Sequence, residues 1–121
     1  MKNIILGLLI SFAFLSCDKY KAKRLSGIYS CTVNFHYFDM TGTTIDTVYT
    51  EDLEVKQDND SIVIFNNKVH VDELRNGATF EKYNGATSSY KVKIYKDELY
   101  YFSTNGGLGG SSSIEYIGKK K

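Results

Sequence analysis

Apolar and polar residues alternate with a period of two along most of the chain after residue 26. Successive side chains of a β-strand point to opposite faces, so this alternation predicts strands that bury one face and expose the other. One face of the first strand carries Tyr29, Cys31, Val33, Phe35 and Tyr37, and one face of the second carries Ile45, Tyr49, Leu53 and Val55. After Arg24 no segment repeats apolar residues at helical spacing. The sequence therefore predicts an all-β chain.

Turn residues divide this region into about eight short strands. The predicted turns are Asp39 to Gly42, Asp58 to Asp60, Asn66 to Asn67, Asn84 to Gly85 and Lys96 to Asp97. Two further segments are predicted to be irregular: Asp72 to Gly77, and the glycine-rich loop from Asn105 to Gly110. Strands with one apolar face must bury it against each other. Consecutive hairpins therefore predict a small antiparallel up-and-down barrel, and a two-sheet sandwich is the alternative.

The first residues of the chain have the composition of an export signal. Lys2 precedes an apolar run from Ile4 to Leu15, and Ser16 and Cys17 follow it. A basic start, an apolar core of about 7–15 residues and a small residue before the cleavage site are the parts of a secretory signal peptide. The run is too short for a spanning helix, which needs roughly 20 apolar residues. We expect residues 1–16 to be removed.

The thiol directly after this run indicates a more specific signal. Phe14, Leu15, Ser16 and Cys17 resemble a lipobox, in which the cysteine receives a diacylglycerol and further acyl chains such as palmitate. This resemblance implies a bacterial lipoprotein that is cleaved before Cys17. Two or more acyl chains give stable membrane attachment, whereas one chain gives only marginal binding. We therefore expect residues 1–16 to be the signal peptide, 17–25 the lipidated cysteine with a polar tether, and 26–121 the β-domain.

The β-domain itself has a loose family resemblance. The opening Gly27-Ile28-Tyr29, the series of hairpins and the closing Tyr116-Ile117-Gly118-Lys119 are similar to the short lipocalin-like lipoproteins of Gram-negative bacteria. That resemblance implies a barrel of about eight strands, which has room for side chains or for one small ligand. The chain has no Trp, which true lipocalins carry near the start of the barrel, and no binding residue of that family can be matched here.

Charge and chemistry exclude several classes of function. Removal of Lys2 with the signal leaves 14 basic against 14 acidic residues, so a basic surface for nucleic acid is not expected. His36 and His70, the only histidines, lie on different predicted strands and lack the spacing of a metal site. No catalytic constellation and no cofactor motif is found. The sequence therefore predicts no enzyme, no metal and no cofactor. Cys31 is predicted to be a buried, unpaired thiol.

Six aromatic residues are the candidates for a functional interior. They are Tyr29, Phe35, Tyr37, Tyr49, Tyr90 and Tyr101. They either fill the barrel as core or line a pocket, and the sequence leaves both open. The corresponding functions are a lipid-anchored envelope module that binds a protein partner as an accessory or inhibitor, and a carrier of a small apolar ligand. Both predict attachment to the cell envelope through lipid, at the outer membrane.

Overall fold

A computed structural model describes residues 17–121 of the chain. The predicted signal peptide, residues 1–16, lies outside the described residues. The strands are β1 (Gly27–Asp39), β2 (Thr44–Asp58), β3 (Ser61–Ile64), β4 (Asn67–His70), β5 (Phe80–Tyr83), β6 (Ser88–Tyr95), β7 (Glu98–Gly107) and β8 (Gly110–Lys120). Residues 17–25 are helical and are named α1. A 3₁₀ segment spans Val71–Gly77.

All eight strands belong to one antiparallel sheet with the order β4-β3-β2-β1-β8-β7-β6-β5. Each strand pairs with the next one in sequence except β4 with β5, and β1 also pairs with β8. Among residues 17–121 the ring is therefore open only between β4 and β5. This is the up-and-down topology, curled into a nearly closed barrel. The predicted barrel is confirmed. The two-sheet alternative is wrong, since one continuous sheet contains all the strands.

The gap between β4 and β5 is bridged by the segment that the sequence predicted to be irregular. Val71 and Leu74 of the 3₁₀ segment are buried in the core. The segment is capped at its start, where the His70 side chain accepts a hydrogen bond from the backbone N–H of Asp72. Near its end, the backbone N–H of Ala78 donates to the carbonyl of Arg75. The 3₁₀ segment thus closes the barrel with side chains where strand hydrogen bonds stop.

The glycine-rich stretch before β8 is a correction to the sequence analysis. The sequence predicts a loop from Asn105 to Gly110, but β7 continues to Gly107 and β8 starts at Gly110, which leaves a two-residue turn. Each of these strands has a neighbour on both sides, and that pairing satisfies the backbone groups of residues with little strand propensity. At Gly110, with φ +147°, a Cβ atom would overlap the carbonyl of Phe38 and lie 2.8 Å from the Cα of Asp39. Close approach of β1 therefore explains that glycine.

Residues 17–25 also differ from expectation, because the polar tether is a helix. Ala22 of α1 is fully buried, and Leu25 packs against the core. Below α1, the buried Tyr29 donates a hydrogen bond from its hydroxyl to the carbonyl of Leu25, 2.7 Å away. Helix α1 therefore covers one end of the barrel, which we call the closed end.

Among residues 17–121, no helix combines the length and the apolar character that crossing a membrane requires.

Candidate functional site

The core of the barrel lies toward the closed end. Fully buried aliphatic side chains from six strands meet there beneath α1 and the 3₁₀ segment. The largest are Val33, Val55, Ile62, Ile64, Val69, Val92 and Leu99. Tyr29 is fully buried among them, and burial raises the pKa of its hydroxyl to about 12. This end is a packed core.

Aromatic rings continue the core through the middle of the barrel. The rings of Tyr90 and Tyr101 lie 6.3 Å apart between centroids, and those of Tyr101 and Tyr116 lie 6.1 Å apart. Above them, Phe65 in the β3–β4 turn contacts Tyr101 at 5.3 Å and Tyr116 at 5.5 Å. Asn67 donates to the Tyr101 hydroxyl at 3.2 Å. The middle of the barrel is therefore filled by its own side chains, with Phe65 laid over them.

The far end of the barrel, which we call the open end, is not filled in this way. β3 and β4 have four residues each, whereas β2 has 15, so the β3–β4 hairpin stops part way along β2. Beyond it, the inner sheet face carries half-buried Phe35 and Tyr37, and Tyr49 with 40% of its surface exposed. Ile45, on the same face, is 46% exposed. The open end is thus an aromatic and aliphatic face in contact with solvent.

One carboxylate lies on this inner face. Glu51 of β2 accepts a hydrogen bond from the Tyr116 hydroxyl at 3.1 Å. Burial of the Tyr116 ring, followed by the effect of the Glu51 carboxylate, raises the pKa of that hydroxyl well above its usual value. The pair marks the boundary between the filled middle and the exposed face.

Two hairpin tips form the rim of the open end. Met40 in the β1–β2 turn and Leu108 in the β7–β8 turn are 80% and 99% exposed. The tips are joined, because the backbone N–H of Met40 donates to the carbonyl of Gly109 at 3.2 Å. Asp39 holds the first tip together by accepting hydrogen bonds from Thr41 and Thr43. Two large apolar side chains therefore project from an ordered rim.

The six aromatic residues singled out in the sequence share the inner sheet face but divide into two groups. Tyr29, Tyr90 and Tyr101 are buried in the core and the filled middle. Phe35, Tyr37 and Tyr49 lie at the open end. Sequence reasoning missed Phe65 and Met40, because turns carry no alternation. A large apolar residue within a turn segment is the sequence signal that could have identified them.

A groove of about 870 Å³ lies elsewhere. It lies on the outer sheet face, where Thr32, Lys93, Tyr100 and Ile117 are among its lining residues. A second groove, of about 720 Å³, lies between α1 and the 3₁₀ segment and is lined in part by Cys17 and Leu74. None of the six aromatic residues lines either groove. The first groove is on the outer sheet face and the second is at the closed end under α1, so both differ from a lipocalin-type cavity at the mouth of the barrel.

The two cysteines lie in different environments. Cys31 is buried, as its alternation with Tyr29 and Val33 predicts, and burial raises the pKa of its thiol. Gly118 faces it, and a Cβ atom there would overlap the Cys31 sulfur. Cys17 is exposed at the start of the described chain. Its thiol is therefore accessible to modification.

The histidines take part in hydrogen bonds with aspartates. His36 contacts Asp46 on the neighbouring strand. His70 is half-buried. Its Nδ1 accepts from the Asp72 N–H, so its Nε2 carries the proton shared with Asp60 at 3.0 Å.

One cluster could not be seen in the sequence, because α1 brings Asp18 to residues far along the chain. Ligand atoms of Asp18, His70 and Asp72 lie within 4.8 Å of one another. His70 already uses both ring nitrogens, and Arg75 donates to Asp72 at 2.7 Å. These hydrogen bonds make the cluster a cap of the 3₁₀ segment and leave little lone-pair capacity for a metal ion.

Comparison with known proteins adds no family: no protein-family model, curated protein sequence or solved structure matched this chain.

Proposed function

We propose that this chain is a lipid-anchored module of the bacterial cell envelope that binds a protein partner at its open end and catalyses no reaction. In this proposal the chain is cleaved before Cys17, acylated there and held at the outer membrane. Its resemblance to small lipocalin-like lipoproteins is part of the same proposal. The observation that supports this proposal is the contrast between the filled barrel and the exposed apolar open end.

The filling of the barrel favours a protein partner over a small ligand. Tyr29, Tyr90, Tyr101 and Tyr116 are at most 5% exposed and occupy the interior that a carrier would need to keep hollow. Meanwhile Met40, Tyr49 and Leu108 keep large apolar surfaces in water. Contiguous exposed apolar surface is typical of protein-binding sites.

The positions of anchor and open end suit this role. Cys17 and α1 lie at the closed end, whereas the rim lies beyond the other ends of β1 and β2. β1 alone has 13 residues and spans about 40 Å. A lipid on Cys17 would therefore place the rim well away from the head groups, where another protein can reach it.

A small apolar ligand remains the second candidate. The observation that favours it is the half-buried state of Phe35 and Tyr37, which lie on the inner sheet face with Tyr49. Such a ligand would be held on this face at the open end, since the middle of the barrel is occupied.

The anchor is tested by replacing the thiol. Cys17→Ala should move the protein from the detergent phase to the aqueous phase and abolish incorporation of labelled palmitate, because the acyl chains have no other attachment point in the proposal. Cys31→Ala is the matched control and should leave both unchanged. Unaltered phase partitioning and labelling of Cys17→Ala would overturn the lipid anchor.

The partner site is tested by photo-crosslinking in the native cells. A photoreactive residue placed at Leu108 or Tyr49 should give a discrete adduct with another protein. The same residue at Lys96, in the closed-end turn, is the control and should give none. Adducts from Lys96 alone, or none from either open-end position, would contradict the proposal. Recovery of an extractable small molecule from wild type but not from Tyr49→Ser would favour the carrier.

A further inference from the structure

The edge of β2 at the open end has no strand beside it among residues 17–121. β3 pairs only with residues 55–58 of β2, so residues 44–54 pair with β1 alone. An unpaired strand edge presents a row of backbone donors and acceptors and is a template for another strand. Native sheets keep such edges short or covered, whereas this one is 11 residues long. Its length makes it the strongest unassigned binding feature of the barrel.

The backbone groups available at this edge can be identified. Across the β1–β2 hairpin the Asp39 N–H donates to the Thr43 carbonyl, and hydrogen-bonded pairs alternate along an antiparallel ladder. Odd-numbered residues of β2 therefore bond to β1. The even-numbered residues from 44 to 54 direct their N–H and C=O groups to the free edge. The Asp58 to Ser61 pairing with β3 follows the same parity.

The side chains beside the edge are acidic and apolar. Residues 44–54 include four carboxylates and no lysine or arginine. Asp46, Asp52 and Glu54 lie on the outer face, and Glu51 lies on the inner face. Lys121 pairs with Asp52 at 2.6 Å and His36 contacts Asp46, so among residues 17–121 Glu51 and Glu54 are the carboxylates of this edge that form no ion pair. Ile45 and Tyr49 supply apolar surface on the inner face, and Val48, 70% exposed, supplies it on the outer face. A strand that fits here needs basic residues and alternating apolar ones.

We infer that the free edge of β2 binds an extended, basic segment of a protein partner by strand addition. The inference rests on the proposed function and names the chemistry of its partner. Main-chain hydrogen bonds to residues 44–54 would supply affinity, and complementary charge would select the segment. Apolar side chains on its inner side would rest against Tyr49 and Ile45.

The same charges disfavour a second copy of this chain in the register that pairs the whole edge and in one that pairs its acidic end. Two-fold antiparallel pairing of β2 with itself, centred on Tyr49, would bring Asp46 of each copy opposite Asp52 of the other. Centred on Thr50, it would bring Asp46 opposite Glu54. Like charges directly opposite each other destabilise a strand pair. Sedimentation should accordingly show a monomer.

The test uses full-length chain in mild detergent and a peptide of about eleven residues in which Lys alternates with Val. We expect the peptide to bind and to protect amides of residues 44–54 from hydrogen exchange. Val48→Pro removes a free-edge donor without removing a bond to β1 and should weaken binding about tenfold. Val48→Thr keeps the N–H and should bind as wild type does.

A variant that changes only a charge tests the same inference if Val48→Pro alters the fold. Glu54→Lys should weaken binding of the lysine peptide several-fold at low salt, whereas Glu98→Lys, on β7 away from this edge, should not. A peptide with Glu in place of Lys should bind at least about tenfold more weakly. Absence of binding to wild type, equal binding by Val48→Pro, or protection of residues 44–54 by self-association would each overturn strand addition.

Failure of this inference is distinguishable from failure of the proposed function. If the native partner crosslinks at Leu108 but leaves the amides of residues 44–54 unprotected, the partner site stands and strand addition is wrong. If the lysine peptide binds as expected but no native protein crosslinks at the open end, the strand edge stands and the proposed function is wrong.

Discussion

The closed and open ends of this barrel are built from the same two long strands and yet differ in burial. On β1 and β2, Tyr29 and Leu53 pair at the closed end and are buried, whereas Tyr37 and Ile45 pair at the open end and are not. The alternation is the same along both strands. The difference arises from what lies opposite: α1, β3, β4 and the 3₁₀ segment cover only the closed end. Alternation therefore determines which face of the sheet a side chain lies on. Coverage by other elements determines how deeply that side chain is buried.

The largest expected effect compares two tyrosines on that face. Tyr29→Ala should lower the free energy of unfolding by about 3–5 kcal/mol, because it leaves a cavity in the core and removes the hydrogen bond to Leu25. Tyr49→Ala should cost less than about 1 kcal/mol, since much of its ring is already in water. Urea unfolding followed by circular dichroism measures both. Equal losses would show that the open end is as tightly packed as the closed end.

A second comparison uses glycines on β8 and β7. In Gly118→Ala the new methyl group would overlap the Cys31 sulfur and lie 2.6 Å from the Ser30 carbonyl, so β1 must shift. We expect a loss of about 1–3 kcal/mol in unfolding free energy. Gly107→Ala, at the open end with nothing within 4 Å, is the control and should be nearly neutral. Combining Gly118→Ala with Cys31→Ala should recover part of the loss. If the double variant recovers none of the lost stability, the strain lies in the contact with the β1 backbone alone.

These contrasts show which parts of the fold the sequence predicts and which it does not. The inner faces of β1 and β2 and the closure of the hairpins into a barrel follow from alternation and from the predicted turns. The glycine-rich strand ends and the helical residues 17–25 do not, because each is stabilised by tertiary neighbours rather than by local propensity. For the same reason the sequence puts the candidate aromatics on one face but cannot divide them into core and exposed groups. That division depends on the shortness of β3 and β4, which no local pattern encodes.

A smaller effect is expected in the Lys96-Asp97 turn at the closed end. Both residues have positive φ, 48° and 64°, which is the geometry of a type I′ hairpin turn that favours Asn-Gly. The double substitution Lys96→Asn with Asp97→Gly should raise the free energy of unfolding by up to about 1 kcal/mol by relieving backbone strain. Thermal unfolding at matched pH measures the gain. A loss would indicate that the side chains matter more than the backbone, Lys96 through its position over the Tyr95 ring.

The smallest effect concerns acid sensitivity at the two ends. The His70 hydrogen bond lowers the pKa of Asp60 at the closed end, and the Thr41 hydroxyl lowers that of Asp39 at the open-end rim. A carboxyl whose pKa is lower in the folded state stabilises the fold above its unfolded pKa of about 3.9, and that stabilisation is lost as the pH falls through the folded value. His70→Asn keeps a capping oxygen but loses the imidazole, so the variant should lose less stability than wild type between pH 5 and pH 2. Thr41→Val should change this pH dependence less, because the backbone N–H groups of Thr41 and Thr43 and the Tyr37 hydroxyl still donate hydrogen bonds to the Asp39 carboxylate. Urea midpoints across that pH range measure both. An equal response to the two substitutions would show that the Thr41 hydroxyl alone lowers the pKa of Asp39.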